Sequence, residues 1–158
     1  GGSQKNVVEL IQIAKELSYG SPGICITYVA NLLGQSPVAL YGSEELQKKV
    51  FTSTSQKLEL WSLGMTEQSV GSDIKRLQCR ADETPTGYIL SGEKCYITNA
   101  SYASHFSVFA TLFDEQGQPK GVSCFYVPGH SPGLVRKEII KKAAMRESNT
   151  ARIDFQNV

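Results

Sequence analysis

Leu60-Trp61-Ser62-Leu63-Gly64-Met65-Thr66-Glu67-Gln68-Ser69-Val70-Gly71-Ser72-Asp73 is where the chain changes character. Its first half is an apolar run of strand length, and its second half is a loop of small and polar residues. Upstream the period is helical. Val7, Leu10, Ile11, Ala14 and Leu17 recur at three- and four-residue steps and predict an amphipathic helix. Tyr19-Gly20-Ser21-Pro22-Gly23 breaks it, and Pro22 suits the first turn of a second helix that Gly34 is expected to end. A short segment over 37–41 stops at Gly42, and Ser43 then caps a further helix with Glu44 and Glu45 in its first turn. Downstream of Gln56, runs rich in Val, Ile, Tyr, Phe and Thr predict strands near 58–65, 77–83, 86–91, 93–98, 105–112, 120–127, 133–138 and 151–156. Helices followed by strands predict an α+β fold: a helical segment over 1–57, then an antiparallel, β-barrel-like domain over 58–158.

The totals narrow the function classes. The chain has 158 residues, a formal net charge of +1, and 41% hydrophobic and 20% charged residues. A near-neutral balance gives no field that would gather nucleic acid or a charged membrane surface. No apolar run approaches the eighteen or so residues of a membrane span, so none is expected. The segment Gly1-Gly2-Ser3-Gln4-Lys5 does not read as a signal peptide, and Gly1-Gly2-Ser3 is either native or a cloning scar. The four cysteines at 25, 79, 95 and 124 form no Cys-x-x-Cys pair, and with only two histidines no zinc spacing exists. No metal site is expected, and free thiols in a reducing compartment are.

Chemistry concentrates at two strand ends. The loop over 65–73 carries two hydroxyls (Thr66, Ser72), two carboxylates (Glu67, Asp73) and Gly71, which permits close backbone approach. Its uncovered backbone N–H groups can cradle a phosphate, or its Ser and Asp can simply cap a structural turn. The second strand end is Tyr96-Ile97-Thr98-Asn99, an aromatic ring beside a hydroxyl. A planar cofactor needs an apolar or aromatic wall and hydrogen bonds to its polar edge. The alternative for Tyr96 is cross-strand packing. Among the weaker signals, Asn99-Ala100-Ser101 matches a glycosylation sequon by coincidence. His105 reads as a packed or edge histidine. Arg136, Lys137, Lys141, Lys142 and Arg146 form a basic cluster that is either a solvated face or a contact for phosphates.

Four stretches together carry a family resemblance. Thr66-Glu67-Gln68-Ser69-Val70-Gly71-Ser72-Asp73 resembles the Thr-Glu-Pro-x-Ala-Gly-Ser-Asp signature of the acyl-CoA dehydrogenases. Gly87-Tyr88-Ile89-Leu90-Ser91-Gly92-Glu93-Lys94-Cys95-Tyr96-Ile97-Thr98-Asn99 is similar to their Gly-Tyr-x-Leu-Asn-Gly-x-Lys-x-Trp-Ile-Thr-Asn. Met145-Arg146-Glu147-Ser148-Asn149-Thr150 with Ile153-Asp154-Phe155-Gln156-Asn157-Val158 resembles their Gly-x-Arg-x-Ser-x-Thr and Val-x-Phe-x-Asp-Val, and Tyr41-Gly42-Ser43-Glu44-Glu45 their Phe-Gly-Thr-Glu-Glu. All four occur in the family's order.

The resemblance implies FAD as cofactor and an acyl-CoA thioester as substrate, with α,β-dehydrogenation as the reaction and an electron-transfer flavoprotein as acceptor. By position, Leu63, Met65, Thr66, Gly71 and Ser72 would lie along the flavin, with Ser72 also near the substrate, and Tyr96, Ile97 and Thr98 would form a second wall. It also implies a homo-oligomer, in the cytoplasm or in the mitochondrial matrix of a eukaryote. The family's C-terminal helical domain, which carries the catalytic glutamate, would begin beyond Val158, so no residue here is assigned as the base. Glu67 and Glu93 stand at positions that are structural in the family. Gln68 in place of Pro and Tyr96 in place of Trp are departures. A flavin monooxygenase or oxidase of the same scaffold, or a non-catalytic scaffold domain, are the alternatives.

Overall fold

The computed structural model describes residues 7–158, so Gly1-Gly2-Ser3 lies outside the described residues. Three helices come first: α1 (Val7–Gly20), α2 (Pro22–Tyr41) and α3 (Glu44–Gln56). Ser21 caps α2 by accepting from Ile24 N at 3.3 Å, with Pro22 at the first position, and Ser43 caps α3 by accepting from Leu46 N at 3.2 Å. Seven strands follow: β1 (Trp61–Gly64), β2 (Arg80–Thr84), β3 (Gly87–Thr98), β4 (His105–Phe113), β5 (Pro119–Pro128), β6 (Leu134–Ile139) and β7 (Thr150–Phe155).

Gly34 does not end the second helix; α2 runs on to Tyr41 with Pro37 inside it. The glycine serves packing instead. A Cβ at Gly34 would stand 2.9 Å from both Ser62 N and Trp61 Cβ, and the Gly34 carbonyl accepts from Ser107 Oγ at 2.7 Å. Only a bare backbone lets the helix lie this close to the sheet. The residues over 37–41 therefore belong to α2, and three helices replace the four segments that the sequence suggested.

The sheet is mixed. Its order is β1-β4-β2-β3-β7-β6, with β5 on β4, and the path does not close. β1 and β2 both run parallel to β4, which departs from the all-antiparallel expectation, while the other ladders are antiparallel. The strands expected over 86–91 and 93–98 are one strand, β3, which passes through Gly92 at φ +134°. β2 begins at Arg80, since Ile74–Arg76 forms a short 3-10 turn ahead of it.

Two apolar clusters hold the layers. Cys79, Ala81, Leu90, Ile97, Phe106, Val108, Phe125, Ile153 and Phe155 fill the sheet's core. Val38, Val50 and Trp61 join helices to sheet, with Leu46, Phe51 and Tyr126 packed around them. α2 is long and apolar enough to cross a membrane by length and composition, with a mean hydropathy of 1.3, which departs from the expectation that no segment is, because its apolar residues are interrupted by small and polar ones. Its Asn31 accepts from Trp61 N at 2.7 Å, and its Thr27 carbonyl accepts from Asn99 Nδ2 at 3.1 Å, so here it is docked on the sheet through polar contacts. The four cysteines are free thiols.

Candidate functional site

The two strand ends meet. β1 ends at Gly64, and the chain passes through Met65 and Thr66 directly beside the second half of β3. Cys95 N donates to the Thr66 carbonyl at 2.8 Å, Lys94 Nζ to the Met65 carbonyl at 3.0 Å, and Ser62 Oγ to the Thr98 carbonyl at 2.8 Å. Asn99, at φ +67°, ends β3 and donates from Nδ2 to the carbonyls of Trp61 and Thr27 at 3.1 Å. Its side chain is therefore consumed in joining β1, β3 and α2, and the sequon at Asn99 is structural.

A bulge decides which residues of β3 face out. Leu90 and Lys94, four apart, share the buried face. By that alternation Tyr96 would also point inward. The register against β7 shifts between Lys94 and Ile97, and Tyr96 takes φ +58°. The extra residue reverses the parity, so Ile97 enters the core at 3% exposure and Tyr96 is turned out at 54%. Positive φ at a tyrosine is uncommon and costs on the order of 1 kcal/mol, so the surrounding ladder imposes it.

Beneath this surface lies a buried ion pair. Lys94 Nζ is 2.7 Å from Glu67 Oε1, and the two side chains are 0% and 6% exposed. The Glu67 carboxylate also accepts from Gln78 N at 2.7 Å and Cys79 N at 2.8 Å. Each oxygen of the carboxylate and the ammonium thus has a partner, as burial requires. Glu67 N and Val70 O close the loop at 2.9 Å. Glu67 is a staple of the loop rather than a reacting carboxylate, in keeping with its structural assignment.

Fixing the loop from below frees its outer polar groups. The Met65 carbonyl points inward to Lys94, and across a trans peptide the Thr66 N–H then points the opposite way. Among the described residues, no hydrogen-bond partner reaches Thr66 N, Thr66 Oγ1, Thr98 Oγ1 or Ser72 Oγ. Leu63, Met65, Thr66 and Thr98 are half-buried, and Gly71 and Ser72 are exposed. Ile97 is the exception in the expected set: its side chain is in the core, leaving only its backbone for a ligand. The surface is an open face and not a closed cavity. Clefts of about 480, 600 and 380 Å³ lie elsewhere and include none of these residues.

The profile described as "Acyl-CoA dehydrogenase, middle domain" matches residues 62–158, and the N-terminal domain profile matches residues 1–56. The chain belongs to the acyl-CoA dehydrogenase family. It is 32% identical to cyclohex-1-ene-1-carbonyl-CoA dehydrogenase of Geobacter metallireducens, covering 100% of this chain and 42% of that protein. It superposes on an acyl-CoA dehydrogenase of Bacillus anthracis solved with FAD at a TM-score of 0.87 and 28% identity, over 100% of this chain and 27% of that one. The prolyl acyl carrier protein oxidase AnaB gives 0.78 and 29%, over 85% of this chain and 36% of that one. The chain thus spans well under half the length of these relatives.

The departures from the acyl-CoA dehydrogenase signatures have visible consequences. Gln68, in place of the signature Pro, accepts at Oε1 from Arg152 Nη2 at 3.3 Å and from Cys95 Sγ at 3.7 Å. It replaces the rigidity of a proline ring with contacts to β7 and β3. The basic cluster does not stay together. Arg136 donates to the carbonyls of Ala100 and Ala103 at 3.2 and 2.7 Å, and Lys137 pairs with Asp154 at 3.2 Å. Lys141, Lys142 and Arg146 line the 480 Å³ cleft. Among the described residues no group of three or more His, Cys, Asp or Glu is placed to hold a metal ion.

Lys94 has no reading in the sequence beyond its place in a family signature, and Asn99 is read there only as the close of a strand end and a chance sequon. The signal for Lys94 was its place on the same face as Leu90: a lysine at an inward position needs a buried carboxylate, and Glu67 is the acidic residue at the facing strand end. Asn99 was legible as the residue that ends β3, since asparagine tolerates the left-handed region.

Proposed function

We propose that this chain is the flavin-bearing wall of an FAD-dependent acyl-CoA dehydrogenase, a protein that takes α- and β-hydrogens from an acyl-CoA thioester. The division at 57/58 into a helical unit and a flavin-facing β unit belongs to the same reading. The observation that carries it is the convergence of Thr66 with Tyr96 and Thr98, held by the 2.8 Å bond from Cys95 N to the Thr66 carbonyl. The donor set fits the group. An isoalloxazine has a ring of polar atoms at one edge and an apolar face. Thr66 N–H, Thr66 Oγ1 and Thr98 Oγ1 are unpartnered donors, and Tyr96 presents an exposed ring beside them. When bound, the flavin supplies the hydride acceptor.

The chain's own contribution is positioning. Lys94 and Glu67 fix the Met65–Thr66 peptide, the bulge at Tyr96 holds the ring outward, and Gly71 and Ser72 leave backbone open to a phosphate or thioester. The proton-abstracting base belongs to a part of the protein outside these residues. An electron-transfer flavoprotein as acceptor and a homo-oligomeric assembly complete the proposal. The likeness to AnaB supports an oxidase as the second reading, and oxygen consumption without an added acceptor separates the two.

The test uses the full-length protein. Thr66→Ala/Thr98→Ala removes two hydrogen bonds worth about 0.5–1.5 kcal/mol each. Lower flavin retention after gel filtration, or a shifted visible spectrum, is expected. Retention and spectrum identical to the wild type would contradict the assignment.

A further inference from the structure

A second polar network sits at the other end of β1, where helices meet sheet. His105, 7% exposed, has Nε2 3.0 Å from Glu59 Oε2 and Nδ1 2.9 Å from the Tyr126 hydroxyl. Its ring stacks on Trp61 with centroids 4.5 Å apart and planes at 23°. Trp61 in turn reaches both helices. Its indole N–H donates to Thr54 Oγ1 on α3 at 3.1 Å, its backbone N–H donates to Asn31 Oδ1 on α2 at 2.7 Å, and Phe51 of α3 stacks on it at 5.7 Å. A cleft of about 600 Å³ runs beside the imidazole and connects it to solvent.

The groups facing His105 come from every element around it. α3 contributes Lys49, and the segment after it Lys57 and Glu59; β5 contributes Tyr126, the following loop His130, and β6 Arg136. Arg136 is occupied with the Ala100 and Ala103 carbonyls, and β1 offers only the uncharged Trp61 ring. Glu59 is the one carboxylate among the residues lining this cleft.

We propose that Glu59, His105 and Tyr126 form a proton-operated latch between the sheet and the helical layer. A carboxylate can only accept, so in the neutral imidazole Nε2–H donates to Glu59 and Nδ1 accepts from the Tyr126 hydroxyl. When one proton arrives from solvent at Nδ1, that nitrogen becomes a donor. The Tyr126 oxygen must then accept, and its hydrogen turns into the cleft. The Glu59 contact becomes an ion pair between the α3–β1 segment and β4, and the charged ring lies against the Trp61 face, where a cation is attracted. No other bond forms or breaks. The two hydrogen-bond partners of His105 keep one state throughout: the His105 hydrogen bond holds the Glu59 carboxyl below the ordinary range, and burial raises the Tyr126 phenol. The signal travels by contact from His105 through the Trp61 indole to Thr54 on α3.

Trp61 is the single tryptophan of the chain, so it reports this site alone. A protonated imidazole stacked on an excited indole accepts its electron and quenches emission. Acid titration of the 158-residue chain over the pH interval in which it stays folded is therefore expected to give a sigmoidal loss of emission. The Trp61 indole N–H resonance is expected to shift over the same interval. His105→Phe keeps a ring against Trp61 and should show neither change, and His105→Gln, which keeps a polar side chain, should also be flat. Flat emission in the wild type, or a transition that survives in either variant, would overturn the proposal. So would an emission change with a stationary indole resonance, because the proton would then not be felt at α3.

Discussion

Lys94 carries a full charge on the inward face of β3, and only the partners it finds there make that tolerable. Its ammonium meets Glu67 at 2.7 Å and the Met65 carbonyl at 3.0 Å, and Glu67 is satisfied by two further backbone N–H groups. Lys94→Met removes one charge and strands the other, so a loss of about 3–5 kcal/mol is expected in urea unfolding. Lys94→Met with Glu67→Gln should recover part of that loss, since no bare charge is left. A single variant as stable as the wild type would mean that the pair is not buried in solution. At this scale the sequence drew attention to hydroxyls and passed over the buried charge at Lys94. Thr66, Ser72 and Thr98 stand out because they lie within family signatures. The work of Lys94 and Asn99 was not legible there, because it depends on partners more than twenty residues away. Cys79 and Cys95 are inert thiols: burial, aided at Cys95 by a bond to Glu93, pushes both up to about 11.

Among the elements, α2 and β3 show what a local period can and cannot reveal. Gly34 and Gly92 both looked like breaks in the sequence, and both lie inside continuous elements. Each glycine is there because another backbone passes close by, which a one-dimensional pattern does not record. A Cβ at Gly92 would stand 2.8 Å from Cys79 Cα. Gly34→Ala sets two effects against each other. Alanine is a better helix former by about 1 kcal/mol. Its methyl would also press on Ser62 N and Trp61 Cβ at 2.9 Å, where backbone cannot yield, and overpacking costs roughly 1–3 kcal/mol. Net destabilisation is expected in a thermal melt, and a raised Tm would contradict the packing role. The α3–β1 segment carries a pH-dependent term. The Glu59 carboxyl is held below its ordinary value chiefly by the His105 hydrogen bond. A depressed carboxyl stabilises the fold above the ordinary carboxylate range, and that contribution is lost as pH falls through the lower folded value. Glu59→Gln should therefore flatten the acid limb of the stability profile, and an unchanged limb would assign it to other carboxylates. Strand pairing was the least legible feature. The alternation placed most strands well, yet nothing in it could show that β1 and β2 both run parallel to β4.

At the scale of the whole molecule, the helical block followed by a strand block was visible in apolar spacing and in the shift to β-branched and aromatic runs, and four signatures in order pointed to the family. The open face of the site is equally physical. In the proposed site Thr66, Tyr96 and Thr98 would supply one wall, a planar ligand needs two, and the chain covers 42% of a related dehydrogenase's length. FAD binding by these 158 residues alone is accordingly expected to be weak, without turnover. Weak binding is still readable residue by residue. Titrating FAD into the isotope-labelled chain and following backbone amide resonances tests the shared wall most directly. Shifts centred on Thr66, Gly71, Ser72 and the run Tyr96, Ile97 and Thr98, fading towards His105 and Lys57, are the predicted result. Shifts confined to the clefts around His105 or Arg146, with Thr66 and Tyr96 unmoved, would contradict it.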